Sequence, residues 1–255
     1  MTELDGYVAV VTGGSRGIGA AITRAFTAAG ATVIVHSRAD SAAARTLTRE
    51  LRSGPGRAVN VFADLAETEG PTQMWQEFDR VTADLGLPPE LDVLVNNAGI
   101  NARGTIDTLT PADFDRLIAV NQRAPFFVTQ HALPRIRDGG RIINVSSGSA
   151  RYASPHIVGY AMTKAAIENF TRSIAVEVGR RGITVNAVAP GVLDTDMNAA
   201  WLRHDIDQPP SAAQHTALGT LADPADIAAV IAFLASPAAG AITGCVIDAT
   251  NGNRL

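Results

Sequence analysis

Tyr160 and Lys164 stand four residues apart in "GYAMTK", and Ser147 precedes the tyrosine by thirteen residues. On a helix, a spacing of four puts two side chains on one face, one turn apart. A free phenol titrates near ~10, so a tyrosine that exchanges protons near neutral pH needs help of about 3 units, or about 4 kcal/mol. A neighbouring ammonium favours the phenolate and supplies part of that. Lys164 is the only lysine in a chain with twenty arginines. Its ammonium is a compact charge with rotatable donors that can reach a phenol and a sugar hydroxyl together, a task for which a planar guanidinium is a poorer substitute. Ser147 ends a predicted strand, where open sheets bind ligands, and can donate to a carbonyl oxygen. Its neighbours Ser146 and Ser149 read as turn hydrogen bonders. Tyr152, with no lysine four residues on, reads as a pocket or surface aromatic, and His156 as a loop histidine.

A second group of residues could hold a phosphate. "VAVVTGGSRGIGAAITRAF" places Gly13, Gly17 and Gly19 between an apolar strand and a helical pattern. Glycines permit the tight turn and let N–H groups at a helix N-terminus approach a pyrophosphate. The spacing is G-x-x-x-G-x-G, not the ordinary G-x-G-x-x-G. The next strand, "VIVHSRAD", ends on Ser37 and Arg38 where an acidic residue would accept from the ribose hydroxyls of NAD. Arg38 with Arg16 can clamp a 2′-phosphate, so NADP(H) is expected over NAD(H). Asp40, just beyond, can cap the following helix. "GGSRG" also matches a hydrolase nucleophile elbow with Ser15 as nucleophile and His204 or His215 as partner. That reading is disfavoured, because Ser15 follows the first strand of the chain and an elbow needs earlier strands around it.

Among the elements that must hold these residues, "YVAVVT", "TVIVHS", "AVNVFA", "LDVLVNNA", "GRIINVSS", "ITVNAVAP" and "CVIDAT" read as strands, and their continuous apolar character suits burial on both faces. Helices are predicted over 17–29, 40–53, 71–85, 111–137, 158–181 and 223–236, with "TPAD" and "DPAD" as start signals. The alternation predicts one α/β domain over 1–255, a doubly wound parallel sheet of seven strands. The stretch 192–220 is too long for an ordinary connection and is expected to be a substrate loop.

Composition narrows the partners. A net charge of −4 offers no broad basic surface for nucleic acid or an anionic membrane. The single cysteine, Cys245, excludes an internal disulfide framework, fits a reducing compartment, and reads as a small buried apolar residue. The N-terminal residues lack a signal-peptide pattern and no apolar run reaches ~18 residues, so a cytoplasmic protein is expected. The five histidines, His36, His131, His156, His204 and His215, have no metal-ligand spacing, and no catalytic metal is expected.

Taken together, "TGGSRGIG", "NNAG" at Asn96 to Gly99, "NVSS" at Asn144 to Ser147, the Tyr160-x-x-x-Lys164 pair and "PGVLDT" at Pro190 to Thr195 resemble the short-chain dehydrogenase/reductases over essentially the whole chain. The 3-oxoacyl-acyl-carrier-protein reductase-like branch looks nearest. The resemblance implies a Rossmann fold and reversible hydride transfer between NADP(H) and a carbonyl or secondary alcohol. It implies that Tyr160 moves the proton, that Ser147 orients the carbonyl, that Lys164 holds the nicotinamide ribose and lowers the tyrosine pKa, and that Asn121 holds a water in a proton relay. It also implies a cofactor site built from several segments. The glycine turn would contribute Gly13, Ser15, Arg16, Gly17, Ile18 and Gly19, and the two strand ends after it Ser37, Arg38, Asp64 and Leu65, with Asp64 on the adenine. Asn97, Ala98 and Gly99 would line the adenosine ribose. Pro190, Gly191, Val192 and Thr195 would join Tyr160 and Lys164 around the nicotinamide half. A homotetramer is implied, with the 111–137 and 158–181 helices in one interface and the C-terminal "ITGCVIDATNGNRL" region in another. Trp201, Leu202 and His204 are candidate pocket residues.

The substrate is expected to be a small carbonyl or alcohol, with a carrier-protein-bound or CoA thioester among the candidates. In that branch, basic residues dock the acidic carrier. Arg181 falls on one such position, Asp138 stands where another arginine is expected, and Arg135 and Arg137 lie close by; the branch arginine at Thr220 is also absent. A non-catalytic dinucleotide-binding sensor on the same fold is the competing class, and intact Ser147, Tyr160 and Lys164 argue against it.

Overall fold

The structure, a computed structural model, describes residues 3–202 and 212–254, without the side chains of Ala200 and Trp201. All seven apolar runs are strands: β1 (Val8–Val11), β2 (Thr32–Ser37), β3 (Arg57–Phe62), β4 (Leu91–Asn96), β5 (Ile136–Val145), β6 (Thr184–Pro190) and β7 (Val246–Ala249). They pair in parallel in the order β3-β2-β1-β4-β5-β6-β7. The chain winds outward from β1 to β3, then returns to place β4 on the other side of β1. The β1/β4 crevice is therefore the topological switch point, where open α/β sheets bind ligands at their C-terminal edge.

Strand alternation divides the core in two. Ala9, Val11, Val33, Val35, Val93, Val95, Ile143 and Val145 point to one face, against Ile22 and Phe26 of α1 (Gly17–Ala28) and Ile227, Ile231 and Leu234 of the C-terminal helix. Their neighbours Val8, Val10, Ile34, Leu94, Ile142 and Val185 point to the other face, against Met74, Trp75 and Phe78 of α3 (Gly70–Asp84). The remaining helices are α2 (Ala42–Glu50), α4 (Pro111–Ile118), α5 (Ala124–Ala132), α6 (Val158–Val178), α7 (Ala199–Leu202) and α8 (Pro224–Ala235). Burying one of these large side chains contributes about 1.5–3 kcal/mol. Trp75 also satisfies its indole by donating to the Val128 carbonyl at 3.1 Å.

Helix starts follow the sequence signals. Thr110 caps α4 by accepting from Asp113 N, and Asp223 with Asp226 forms a capping box on α8, each followed by proline at the first helical position. The start of α2 differs from expectation: Ser41 accepts from Ala44 N as the cap, while Asp40 pairs with Arg45 at 2.6 Å.

The run expected as one helix over 111–137 is broken. A π turn, Ala119–Arg123, separates α4 from α5, and β5 already begins at Ile136. Pro125 has no N–H to give the carbonyl of Asn121 four residues earlier, so the regular ladder cannot pass through this point. Cys245 corrects another expectation: it is exposed, because it enters the edge strand β7, which is only half-covered.

Candidate active site

The glycine turn between β1 and α1 is held open by backbone geometry. Gly13 and Gly17 have φ of 62° and 51°, and a Cβ at Gly19 would sit 2.1 Å from the Gly13 carbonyl. Only glycine permits that approach. Asn97 Nδ2 donates to the Thr12 and Gly13 carbonyls at 2.8 and 3.1 Å, while Thr12 Oγ1 accepts from the N–H groups of Asn97 and Ala98 at 2.9 and 3.0 Å. The "NNAG" segment thus fixes the turn from the β4 side.

Behind it runs a buried polar ladder that sequence reasoning did not find. Asn96 Nδ2 donates to Asn144 Oδ1 at 2.9 Å and to Thr129 Oγ1 at 3.0 Å, and Asn144 Nδ2 donates to Thr171 Oγ1 at 2.9 Å. The ladder ties β4 and β5 to α5 and to α6, which carries Tyr160 and Lys164. Asparagines that follow the apolar runs "VLV" and "II" near the ends of these two strands are the available signal, because buried amides need partners.

Ser147 leaves β5, and Tyr160 and Lys164 lie on the first turns of α6. Lys164 is buried, at 5% exposure; its Nζ donates to the Val145 carbonyl at 2.8 Å and lies 5.6 Å from the Tyr160 ring centroid. One of its three hydrogens is committed there, which leaves donors for a ligand. Tyr160 is half-buried. Burial pushes its phenol up to about 12, partly offset by interaction with the Ser147 side chain. Burial likewise pushes the Lys164 ammonium down to about 8. The implied lowering of the tyrosine pKa is therefore not met by these residues alone: burial outweighs the opposing influences on the phenol.

Ser147 Oγ accepts from Ser149 N at 3.3 Å and Ser149 Oγ at 3.0 Å, so its own hydrogen remains to be donated elsewhere. Ser146 turns away, donating to Glu168 Oε1 at 3.0 Å and the Lys164 carbonyl at 3.3 Å. Ser149 is thus the turn hydrogen bonder expected of it, whereas Ser146 ties the end of β5 to α6 instead. Glu168, a buried carboxylate one turn beyond Lys164, was not anticipated.

Asn121 sits in the π turn with its amide fully committed: it donates to the Ile100 carbonyl at 2.9 Å and Thr163 Oγ1 at 3.1 Å, and accepts from Ile100 N at 2.9 Å. What the turn leaves without its ordinary helical donor is the Asn121 backbone carbonyl, opposite Pro125. A Cβ at Gly99 would meet Asn121 Oδ1 at 3.4 Å and Lys164 Nζ at 3.5 Å, which places Gly99 between the two.

The residues expected at the adenosine end also gather. Ser37 is buried at the end of β2 with an Oγ that has no hydrogen-bond partner among the described residues, and Arg38 beside it is exposed. Asp64 Oδ1 accepts from Ala66 N at 2.9 Å in the turn after β3. The Leu65 side chain departs from expectation by packing in the core with Met74 and Trp75. Arg16 ion-pairs with Asp196 at 3.5 Å, both groups exposed, and a Cβ at Gly17 would meet Thr195 Cγ2 at 3.5 Å. The segment after Pro190, Gly191 and Val192 therefore lies over the glycine turn, with Thr195 nearest to it. An open glycine cradle, a Ser37 hydroxyl with no partner among the described residues beside the exposed Arg38 cation, and the spare Lys164 donors together fit a phosphorylated dinucleotide. Of the two histidines offered as a partner for Ser15, His204 lies outside the described residues, and His215 is exposed in the short turn 213–215, where its carbonyl accepts from Arg254 N at 3.0 Å.

On the substrate side, Tyr152 is half-buried next to the position a Cβ on Gly148 would take, at 3.2 Å. The C-terminal segment holds it: Asn253 Nδ2 donates to its hydroxyl at 3.4 Å and the Arg254 guanidinium lies 5.0 Å from its ring centroid. His156 is exposed, and its carbonyl accepts from Gly104 N at 2.9 Å. Of the expected loop, 203–211 with His204 lie outside the described residues, as does the Trp201 side chain; Leu202 is half-buried. Thr220, unexplained from sequence, accepts at its carbonyl from Thr216 Oγ1 at 3.0 Å and Asn251 Nδ2 at 3.1 Å. Among the described residues no three His, Cys, Asp or Glu side chains cluster as metal ligands, and no helix is long and apolar enough to cross a membrane.

Comparison with known proteins agrees with this geometry. A family model described as enoyl-(acyl carrier protein) reductase matches residues 13–253. The chain is 38% identical over 260 residues to versicolorin reductase stcU of Emericella nidulans, covering 98% of this chain and 96% of that one. It is 38% identical over 264 residues to the hydroxynaphthalene reductase-like protein Arp2 of Metarhizium brunneum, covering 98% and 96%. Among solved structures, the angucycline C-6 ketoreductase LanV with bound NADP superposes with a TM-score of 0.94 at 42% identity, over 99% of this chain and 97% of that one. A short-chain dehydrogenase/reductase from Serratia marcescens BCRC 10948 superposes with a TM-score of 0.89 at 36% identity, over 99% and 100%. With its doubly wound sheet, its glycine turn and its serine, tyrosine and lysine at one strand end, the chain belongs to the short-chain dehydrogenase/reductase family of oxidoreductases.

Proposed function

We propose that this protein is an NADP(H)-dependent ketoreductase that reduces a ketone on a fused-ring aromatic substrate, with Tyr160 as the proton donor. The observation that carries the reading is the buried Lys164 ammonium, anchored on the Val145 carbonyl one helical turn from a Tyr160 phenol that burial keeps protonated. The NADP bound to LanV supports the cofactor, as do Arg38 and the unsatisfied Ser37 hydroxyl at the end of β2. The names of the angucycline ketoreductase and the hydroxynaphthalene reductase-like relatives support the substrate class.

NADPH, when bound, supplies the hydride. The chain's own residues do the rest. Ser147 offers its hydroxyl hydrogen to the carbonyl oxygen, because Ser149 fills its acceptor sites. Tyr160 gives its proton to the same oxygen as negative charge develops there. Lys164 holds the nicotinamide ribose with its spare donors, and the Asn121 carbonyl, lacking its i+4 donor, accepts from a water that returns the proton. Gly13, Ser15, Arg16, Gly17, Ile18 and Gly19 would cradle the pyrophosphate, Asp64 and Leu65 would border the adenine, and Asn97, Ala98 and Gly99 would line its ribose. Pro190, Gly191, Val192 and Thr195 border the nicotinamide.

The reading takes 1–255 as a single catalytic unit of the cytoplasm, assembled as a homotetramer. Phe126, Phe127, Met162 and Val176 expose apolar surface on α5 and α6, and Phe126 packs on Phe170 at 5.8 Å between ring centroids. The half-covered edge strand β7 supplies a second surface. A carrier-bound thioester is not favoured. Arg135 and Arg137 flank the start of β5, at the opposite end from Ser147, and pair with Asp79, Glu90 and Asp92, while Arg181 pairs with Asp138 and donates to backbone carbonyls of that region. The test is a panel of aromatic and aliphatic ketones with NADPH and NADH. Turnover of fused-ring ketones with NADPH is expected; tight cofactor binding without turnover of any carbonyl would favour the sensor instead. Sedimentation at micromolar concentration should give a tetramer, and a monomer would contradict that part.

A further inference from the structure

His36 belongs to no motif, yet its ring touches both neighbours of its strand. It is buried at 2% exposure on β2, in register with Val61 of β3. Nδ1 accepts from Gly13 N at 3.2 Å, and Nε2 faces the Ala63 carbonyl at 2.9 Å. Those partners fix the tautomer. A backbone N–H can only donate, so Nδ1 must present its lone pair, and a carbonyl can only accept, so Nε2 must carry the hydrogen. Backbone bonds complete the junction: Gly14 N donates to the His36 carbonyl at 2.9 Å, and Ala63 N donates to the Ser37 carbonyl at 3.2 Å.

Each of the three strand ends joined here carries part of the cofactor site. Gly13 opens the phosphate turn, Ser37 and Arg38 follow His36 directly, and Asp64 follows Ala63. Without an acceptor the Gly13 N–H, in a turn with φ of 62°, would be left partly buried and unpaired. An apolar residue in place of His36 would leave both that donor and the Ala63 carbonyl unsatisfied, and would free the glycine turn from β3.

We propose that His36 is a positioning residue for the adenosine-phosphate end of the cofactor: its neutral ring locks the glycine turn, the β2 end and the β3 exit in one arrangement. This rests on the reading that NADP(H) binds at that turn. The experiment measures NADPH dissociation constants without substrate, together with melting temperatures, for wild type, His36→Leu, His36→Asn and His36→Gln. Asparagine can place Oδ1 where Nδ1 accepts from Gly13, whereas glutamine reaches toward Ala63 instead. His36→Leu should weaken NADPH binding by at least about tenfold, and His36→Asn by no more than about threefold. In steady state the NADPH KM should rise with kcat retained. A folded His36→Leu variant with unchanged NADPH affinity overturns the proposal, even if its melting temperature falls. Should that variant not fold, the order decides: tighter binding by His36→Asn than by His36→Gln supports the proposal, and equal affinities or the reverse overturn it. Failure of the wild type to bind NADPH would instead strike the cofactor reading on which the proposal stands.

Discussion

Lys164 Nζ lies 5.6 Å from the centroid of the Tyr160 ring and is pinned at 2.8 Å to the carbonyl of Val145, two residues before Ser147. One lysine thus fixes the helix carrying the phenol against the strand carrying the serine. The contact needs a cation small enough to be buried behind an aromatic ring while keeping free donors.

That geometry makes lysine irreplaceable at 164. Lys164→Arg and Lys164→Met should each lower kcat by at least about 100-fold, since a guanidinium cannot be accommodated under the ring with the same free donors. Circular dichroism and melting curves would show whether the fold survives, and steady-state rates whether arginine rescues. Near-normal turnover in Lys164→Arg would show that any cation suffices.

Direction should depend on pH in opposite senses. Burial holds the Tyr160 phenol at about 12, so at neutral pH it carries the proton that ketone reduction consumes. Alcohol oxidation needs the deprotonated form, whose population rises with pH. Reduction rates should stay level through neutrality and fall in alkali, while oxidation rates climb with pH; paired pH–rate profiles check this.

Arg38 should decide between the two dinucleotides. It is exposed beside the unsatisfied Ser37 hydroxyl, whereas Arg16 is already paired with Asp196. Arg38→Ala should raise the KM for NADPH by about tenfold or more and leave NADH almost unchanged. Arg16→Ala should have the smaller effect. Equal losses for both cofactors would remove Arg38 from phosphate recognition.

Acid should destabilise the protein through His36. Burial lowers its pKa from 6.5 to about 4, opposed by Asp64 and by the bond to Ala63. Between those values the unfolded chain binds the proton more readily than the folded one, so stability rises with pH. The contribution is full above about pH 6.5, declines as pH falls toward 4, and amounts to about 3 kcal/mol. Denaturant melts of wild type and His36→Asn at pH 7.5 and 5 should show the larger loss in wild type; equal losses would assign the acid sensitivity elsewhere.

Much of this arrangement is legible in the chain because its physics is local. Continuous apolar runs such as "TVIVHS" become strands covered on both faces, and Tyr160 and Lys164 need only helical periodicity to meet. The break at Ala119–Arg123 was not legible, since "DRLIAVNQRAPFFVTQ" keeps a helical pattern across Pro125 and proline is also common near helix starts. Its consequence, a freed carbonyl at Asn121, appears only when the two helices are seen end to end. The exposure of Cys245 is not legible in its residue type, because burial depends on whether its strand lies inside the sheet or at its edge. His36 carries no local signal, because its two partners lie 23 residues before and 27 after it and meet it only once β1, β2 and β3 are in register. The ladder from Asn96 through Asn144 to Thr171 was hidden for the same reason.

The central claim is that Tyr160 supplies the proton, and the most direct measurement is the turnover of Tyr160→Phe with NADPH and a fused-ring ketone, alongside its NADPH dissociation constant. Removing one hydroxyl leaves the ring and its packing in place. The account predicts a fall in kcat of at least about 1,000-fold with cofactor affinity retained; an undiminished rate would contradict it.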